Sequence, residues 1–242
     1  MIIKVCGMRD ADNIRAVVDA GADMIGLIFY PKSPRCVTMV DSRSGLIPDH
    51  VDSDFEKVAS NDKASSINDR PQLVGVFVDD LPQNIVTRIY NYDLDYVQLH
   101  GDESPVMIQN LKATVVPDIR KELKVIKAIS IANKEDLQKC QQYEGLVDVF
   151  LFDTKCSSVG GSGKKFDWQM LQAYNGNTPF LLSGGISPDD AESIKEFHHP
   201  MFAGVDLNSK FEIEPGFKDV EKVKTFISEM KLTTQTSKAT QT

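Results

Sequence analysis

Short, predominantly apolar runs alternate along the chain with longer stretches in which apolar residues return every three or four positions. The runs lie at 2–6, 24–29, 73–78, 96–99, 125–129, 149–152, 180–183 and 202–207. They lack the polar alternation of a half-solvated strand, so they predict strands covered on both faces, the habit of a parallel sheet. Helical spacing predicts helices over 11–20, 83–92, 105–112, 134–143, 167–174, 189–197 and 217–230, with one more after the second run. Ser104 precedes Pro105 and Ser187 precedes Pro188; each pair joins a capping hydroxyl to a residue with no N–H to leave unpaired.

A strand that returns parallel to its predecessor needs a crossover, and a helix supplies it. Eight such units in 242 residues predict a single-domain α/β fold, a (β/α)8 TIM barrel over residues 1–231. A doubly wound open sheet satisfies the same alternation and is the structural alternative. Two stretches break the rhythm. Residues 41–70 are polar and weakly periodic, read as one short helix plus an exposed excursion, and 232–242 are expected as a frayed tail.

Charge narrows the partners. With 27 Lys and Arg against 35 Asp and Glu, the net charge of −8 argues against nonspecific binding to nucleic acid or to an anionic membrane. No apolar run approaches the roughly 20 residues of a membrane-spanning helix. Cys6, Cys36, Cys140 and Cys156 show no C-x-x-C spacing, and the opening MIIKVCGMRD is not a targeting peptide, so a cytoplasmic protein is expected.

In a barrel the chemistry gathers where strands end. Cys6 closes the first run; it is either a small buried hydrophobe or a thiolate base, and no basic group follows it in sequence. Asp153 follows the sixth run; it is either a loop-stabilising carboxylate or a proton donor at the barrel mouth. Glycines at 160–163, Gly184-Gly185 and Asn208-Ser209 follow runs six, seven and eight. Turn chemistry accounts for any one of them, whereas three neighbouring loops suggest backbone N–H groups gathered around a phosphate. Arg35, in a Ser-Pro-Arg turn, is either a surface arginine or a carboxylate clamp. Asp10 or Asp12 is expected to cap the first helix, and no metal-ligand spacing is present.

The ordered segments Lys4-Val5-Cys6-Gly7-Met8, Gly21-Ala22-Asp23, Ser33-Pro34-Arg35, Val97-Gln98-Leu99-His100-Gly101, Phe152-Asp153-Thr154, Ser183-Gly184-Gly185 and Pro215-Gly216 resemble the phosphoribosylanthranilate isomerases of tryptophan biosynthesis. The resemblance runs from residue 2 to about 230. It implies an Amadori rearrangement of N-(5'-phosphoribosyl)anthranilate without cofactor or metal, by a monomer or homodimer. Cys6 would be the general base and Asp153 the general acid, with Arg35 facing the anthranilate carboxylate. Gly161, Gly163, Gly184, Gly185 and Ser209 would hold the phosphate. One departure stands out: where the family usually reads Val-Ser-Ser-Gly after Asp206, this chain has Leu207-Asn208-Ser209-Lys210. Two other readings remain. A histidine-pathway isomerase would need paired aspartates, and a catalytically idle barrel binding phosphorylated ligands would follow if Lys210 spoils the eighth loop.

Overall fold

The computed structural model describes residues 1–37, 70–154 and 168–239. The helix expected after the second run, nearly all of the 41–70 excursion, Gly161 and Gly163 lie outside the described residues. Eight parallel strands close into a barrel in chain order: β1 (Ile2–Cys6), β2 (Met24–Ile28), β3 (Gln72–Phe77), β4 (Tyr96–Leu99), β5 (Lys124–Ile131), β6 (Val149–Thr154), β7 (Phe180–Ser183) and β8 (Phe202–Leu207). Pairing of β1 with β8, which sets Lys4 beside Asp206, completes the ring and excludes the open sheet.

Among the crossovers, α1 (Ala11–Asp19) starts at Asp10, whose side chain accepts the Asn13 N–H. α2 (Pro82–Asn91) and α3 (Pro105–Val115) both open on proline, and Ser104 Oγ accepts the Met107 N–H as its sequence position predicts. Two expected helices are wound more tightly: Lys134–Tyr143 and Trp168–Ala173 are 3₁₀ helices. In the first, the buried residues are Leu137, Cys140 and Tyr143, spaced by three, so a winding of three residues per turn puts all of them on the barrel. The helix expected at 189–197 begins as a 3₁₀ turn (Pro188–Asp190) and continues as α4 (Ala191–Glu196).

The last crossover also differs from expectation at its start. Glu212–Glu214 (β9) and Phe217–Lys218 (β10) form a small antiparallel hairpin after β8, and helix α5 (Val220–Ala239) begins only beyond it. The side chain of Asn13 causes the delay by acting as a strand partner: it accepts the Lys218 N–H at 2.7 Å and donates to the Lys218 carbonyl at 2.9 Å. The backbone of α5 continues into the stretch expected as a tail.

Aspartates tie the strands together at their N-terminal ends. Asp23, Asp95 and Asp148, each placed just before an even-numbered strand, accept the N–H of Ile3, Leu73 and Val125 at 2.8 Å. Each also donates its own N–H to the carbonyl of that same residue at 2.9 Å. One short polar side chain thus registers each of β1, β3 and β5 against the strand that follows it.

Apolar packing occupies two layers. The larger lies between sheet and helices, and a smaller cluster built on Met24, Val74, Tyr96, Ile126, Leu151 and Leu181 fills the lower lumen. Because side chains alternate along a strand, the next inward positions stand above this plug, and there the lumen turns polar.

Candidate active site

The polar layer is made of Lys4 and Cys6 from β1, Gln98 from β4, Asp153 from β6, Ser183 from β7 and Asp206 from β8. Cys6 is 3% exposed. Its thiol has room only because Gly26 lies opposite: a Cβ there would stand 2.7 Å from Sγ. Burial pushes the thiol above its ordinary value; Lys4 and Lys218 pull it back, and Asp206 adds to the rise. Lys4 is wholly buried, with its ammonium 2.8 Å from Asp206 Oδ1. Burial pulls that ammonium down, but the attraction of Asp206 and Cys6 outweighs it, and Lys4 is held above its ordinary value.

Asp153 pairs in register with Ser183, and its Oδ2 is 3.6 Å from His100 Nε2. Gln98 Nε2 lies 3.0 Å from His100 Nδ1. An amide nitrogen only donates, so with Gln98 oriented this way Nδ1 is the acceptor, and the hydrogen of a neutral ring is on Nε2, facing Asp153.

These groups open into one cavity of about 240 Å³ lined by Cys6, Gln98, His100, Asp153 and Ser183 and rimmed by Gly184, Gly185, Asn208 and Ser209. Gly184 has a φ of +98°, and a Cβ on it would meet the Thr154 carbonyl oxygen at 2.3 Å, so only glycine lets the seventh loop lie against the end of β6. A larger groove of about 1130 Å³ opens at the opposite end of the barrel. There Arg70 and Arg120 are already paired with Asp95, and no strand delivers its C-terminal residue to it.

Beside the cavity, Arg35 is bound to Glu212 of the hairpin: Nε donates to Oε1 at 2.8 Å and Nη2 to Oε2 at 2.6 Å. Its stem covers Gly7, where a Cβ would lie 2.7 Å from Arg35 Cδ. Lys218, fully buried, donates to Glu212 at 2.6 Å and to Asn208 Oδ1 at 2.9 Å. Burial pulls the Lys218 ammonium below its ordinary value against the attraction of Glu212. Burial alone would raise the Glu212 carboxyl, but the hydrogen bonds from Arg35 and Lys218 hold it down at about 2.

Cys6, Asp153, Gly184, Gly185 and Ser209 therefore come together from four strand ends, while Arg35 sits next to them outside the cavity lining. Lys210 is exposed in the short 3₁₀ turn Ser209–Phe211. Sequence reading passed over Lys4, Gln98, Asp206, Glu212 and Lys218. A signal was present for the first three: each is a polar residue inside an otherwise apolar strand run, an even number of positions from an inward neighbour. Among the described residues, no group of three His, Cys, Asp or Glu is arranged to hold a metal ion, and no helix is long and apolar enough to cross a membrane.

The family model of N-(5'-phosphoribosyl)anthranilate isomerase matches residues 3–229. A relative of that name from Parabacteroides distasonis is 47% identical over 230 residues, covering 95% of this chain and 93% of its own. One from Phocaeicola vulgatus is 44% identical over 231 residues, covering 96% and 98%. Among solved structures, phosphoribosylanthranilate isomerase from Thermotoga maritima superposes with a TM-score of 0.72 at 29% identity, covering 96% of this chain and 99% of that one. A phosphoribosylanthranilate isomerase in complex with reduced 1-(o-carboxyphenylamino)-1-deoxyribulose 5-phosphate superposes with a TM-score of 0.70 at 26% identity, covering the same shares.

Proposed function

The chain belongs to the N-(5'-phosphoribosyl)anthranilate isomerase family, and from that premise we propose which of its residues carry the reaction. The reaction is the isomerisation of N-(5'-phosphoribosyl)anthranilate to 1-(2-carboxyphenylamino)-1-deoxyribulose 5-phosphate in tryptophan biosynthesis. An aldose becomes a ketose, which requires opening the furanose ring and moving hydrogen from C2 to C1.

Asp153 is the general acid. In its protonated form it gives its proton to the furanose ring oxygen as the C1–O bond breaks, leaving a Schiff base between C1 and the anthranilate nitrogen. The Cys6 thiolate then takes the proton from C2, and the electron pair moves to give an enolamine. Tautomerisation of the enolamine, with loss of the O2 proton and gain of a proton at C1, yields the ketone. Asp153 ends as carboxylate and Cys6 as thiol, so the pair needs one proton returned to the acid and one removed from the base before the next turnover.

Binding follows from the rim. Arg35 uses Nε and Nη2 on Glu212 and offers Nη1 to the anthranilate carboxylate. Gly184, Gly185 and Ser209, with Gly161 and Gly163 of the sixth loop, hold the phosphate through backbone N–H groups and the Ser209 hydroxyl. The same reading places the protein in the cytoplasm, acting on a small phosphorylated substrate as a monomer or homodimer. Lys210, the departure that suggested an idle barrel, stands exposed.

The observation that carries these assignments is that Cys6 and Asp153, from β1 and β6, line one cavity whose rim also holds Gly184, Gly185 and Ser209. The test is direct: purified protein mixed with N-(5'-phosphoribosyl)anthranilate should extinguish the anthranilate-type fluorescence as product forms. A flat trace from folded protein overturns the reading.

A further inference from the structure

We propose that Lys4, held by Asp206, is a positioning residue that makes the Cys6 thiolate available for proton abstraction; this rests on Cys6 being the base. Lys4 and Cys6 are two residues apart on β1, so both side chains point into the lumen. Asp206 is the register partner of Lys4 on β8, also inward, and its second oxygen accepts Ser183 Oγ at 3.3 Å. The three residues form a closed group between the apolar plug and the reaction cavity.

A buried ion pair of this kind is no bargain for folding. Two apolar residues of similar volume do as well or better, because desolvating both charges offsets their attraction. A lysine and an aspartate immediately beneath a thiol therefore call for an account in terms of that thiol. Removing a thiol from water disfavours its charged form, and an ammonium two residues away on the same face of β1, which lowers the thiol's pKa, is the remedy the lumen supplies.

Among the described residues, the other charged groups around Cys6 are few. Lys218 on β10 and Arg35 in the second loop are both committed to Glu212. His100 and Asp153 line the same cavity from β4 and β6. Lys4 shares Asp206 with Cys6, so the two charges act on the thiol in opposite senses: the ammonium favours the thiolate, and the carboxylate opposes it. Asp206 thus fixes where the ammonium sits at some cost to the base it serves.

That opposition supplies a test a merely structural pair would not pass. The rate of Cys6 alkylation by iodoacetamide, followed against pH by mass analysis of the Cys6 peptide, reports the thiolate fraction in the intact protein. Lys4→Met should move the midpoint up by about one pH unit or more, and Asp206→Asn should move it down. Profiles that superimpose on wild type, or that both move in one direction, overturn the proposal. Lys4→Met leaves a bare buried carboxylate; where that variant does not fold, Asp206→Asn is compared with Lys4→Met/Asp206→Asn. The double variant must show the higher midpoint, and no rise overturns the proposal. Cys6→Ala separates the two levels: wild-type turnover in that variant overturns the base assignment itself, whereas loss of turnover with unmoved alkylation profiles overturns the role of Lys4 alone.

Discussion

Glu212 grips Arg35 through both carboxylate oxygens, with Nε 2.8 Å from Oε1 and Nη2 2.6 Å from Oε2. The pair joins the hairpin after β8 to the loop after β2, so the clamp proposed for the substrate carboxylate is aimed by a residue 177 positions away in sequence. Because Lys218 shares Glu212, both cations lose their anchor together.

Glu212→Gln should raise KM well above its effect on kcat, since the reacting groups Cys6 and Asp153 are untouched while Arg35 is released. Initial rates over a range of substrate concentrations measure the split, and a kcat loss at unchanged KM would show that Arg35 is not the clamp. The same variant should alter stability in acid. The Glu212 carboxyl, ordinarily near 4.5, is held at about 2 in the fold. Its contribution is therefore complete above about pH 4.5 and is lost as pH falls toward 2. Melting temperatures between about pH 5 and pH 3 should fall more steeply for wild type than for Glu212→Gln.

Cys6→Ser and Asp153→Asn should each lower kcat by about 10²–10⁴-fold, the usual worth of a positioned acid or base. Both should bind a product analogue close to normally, because neither phosphate nor carboxylate contacts change. Turnover near wild type in either variant removes that residue from its role.

Gly26→Ala tests the space around the base. The added methyl would stand 2.7 Å from the Cys6 sulfur and 3.0 Å from the Cys6 Cα, a backbone atom that cannot swing aside. The variant should lose about 1–3 kcal/mol of stability by overpacking. It should also lose activity out of proportion to that cost, read as kcat of the folded fraction after a denaturant titration.

Asp95→Ala tests the opposite end of the barrel. It removes the acceptor of the Leu73 N–H and the carboxylate that Arg70 and Arg120 share. A loss of about 1–3 kcal/mol in unfolding free energy is expected from the unpaired groups. KM and kcat should stay near wild type, and a large change in either would bring the lower groove into the chemistry.

Eight strands are legible in the chain because a strand buried on both faces is a local statement: a run of apolar residues bounded by polar ones, as at 149–152 or 180–183. Caps are local too, which is why Asp10 and Ser104 stand where the sequence puts them. Winding is less so. Leu137, Cys140 and Tyr143 carry a spacing of three that a helical window absorbs without distinguishing 3₁₀ from α. The late start of the last helix was illegible because the backbone of Lys218, in the hairpin strand β10, is held by the side chain of Asn13, 205 residues away.

Sequence alone determined the alternation of strands and helices, the number of strand runs, and the thiol and carboxylic acid at two strand ends, since each depends on neighbours within a few residues; closure of the ring waited on the pairing of β1 with β8. Tertiary structure decided what surrounds that thiol. Lys4 and Asp206 are 202 residues apart and meet only because β1 and β8 pair in a particular register when the barrel closes. A shift of one residue would turn one of them outward, and no local pattern encodes that choice.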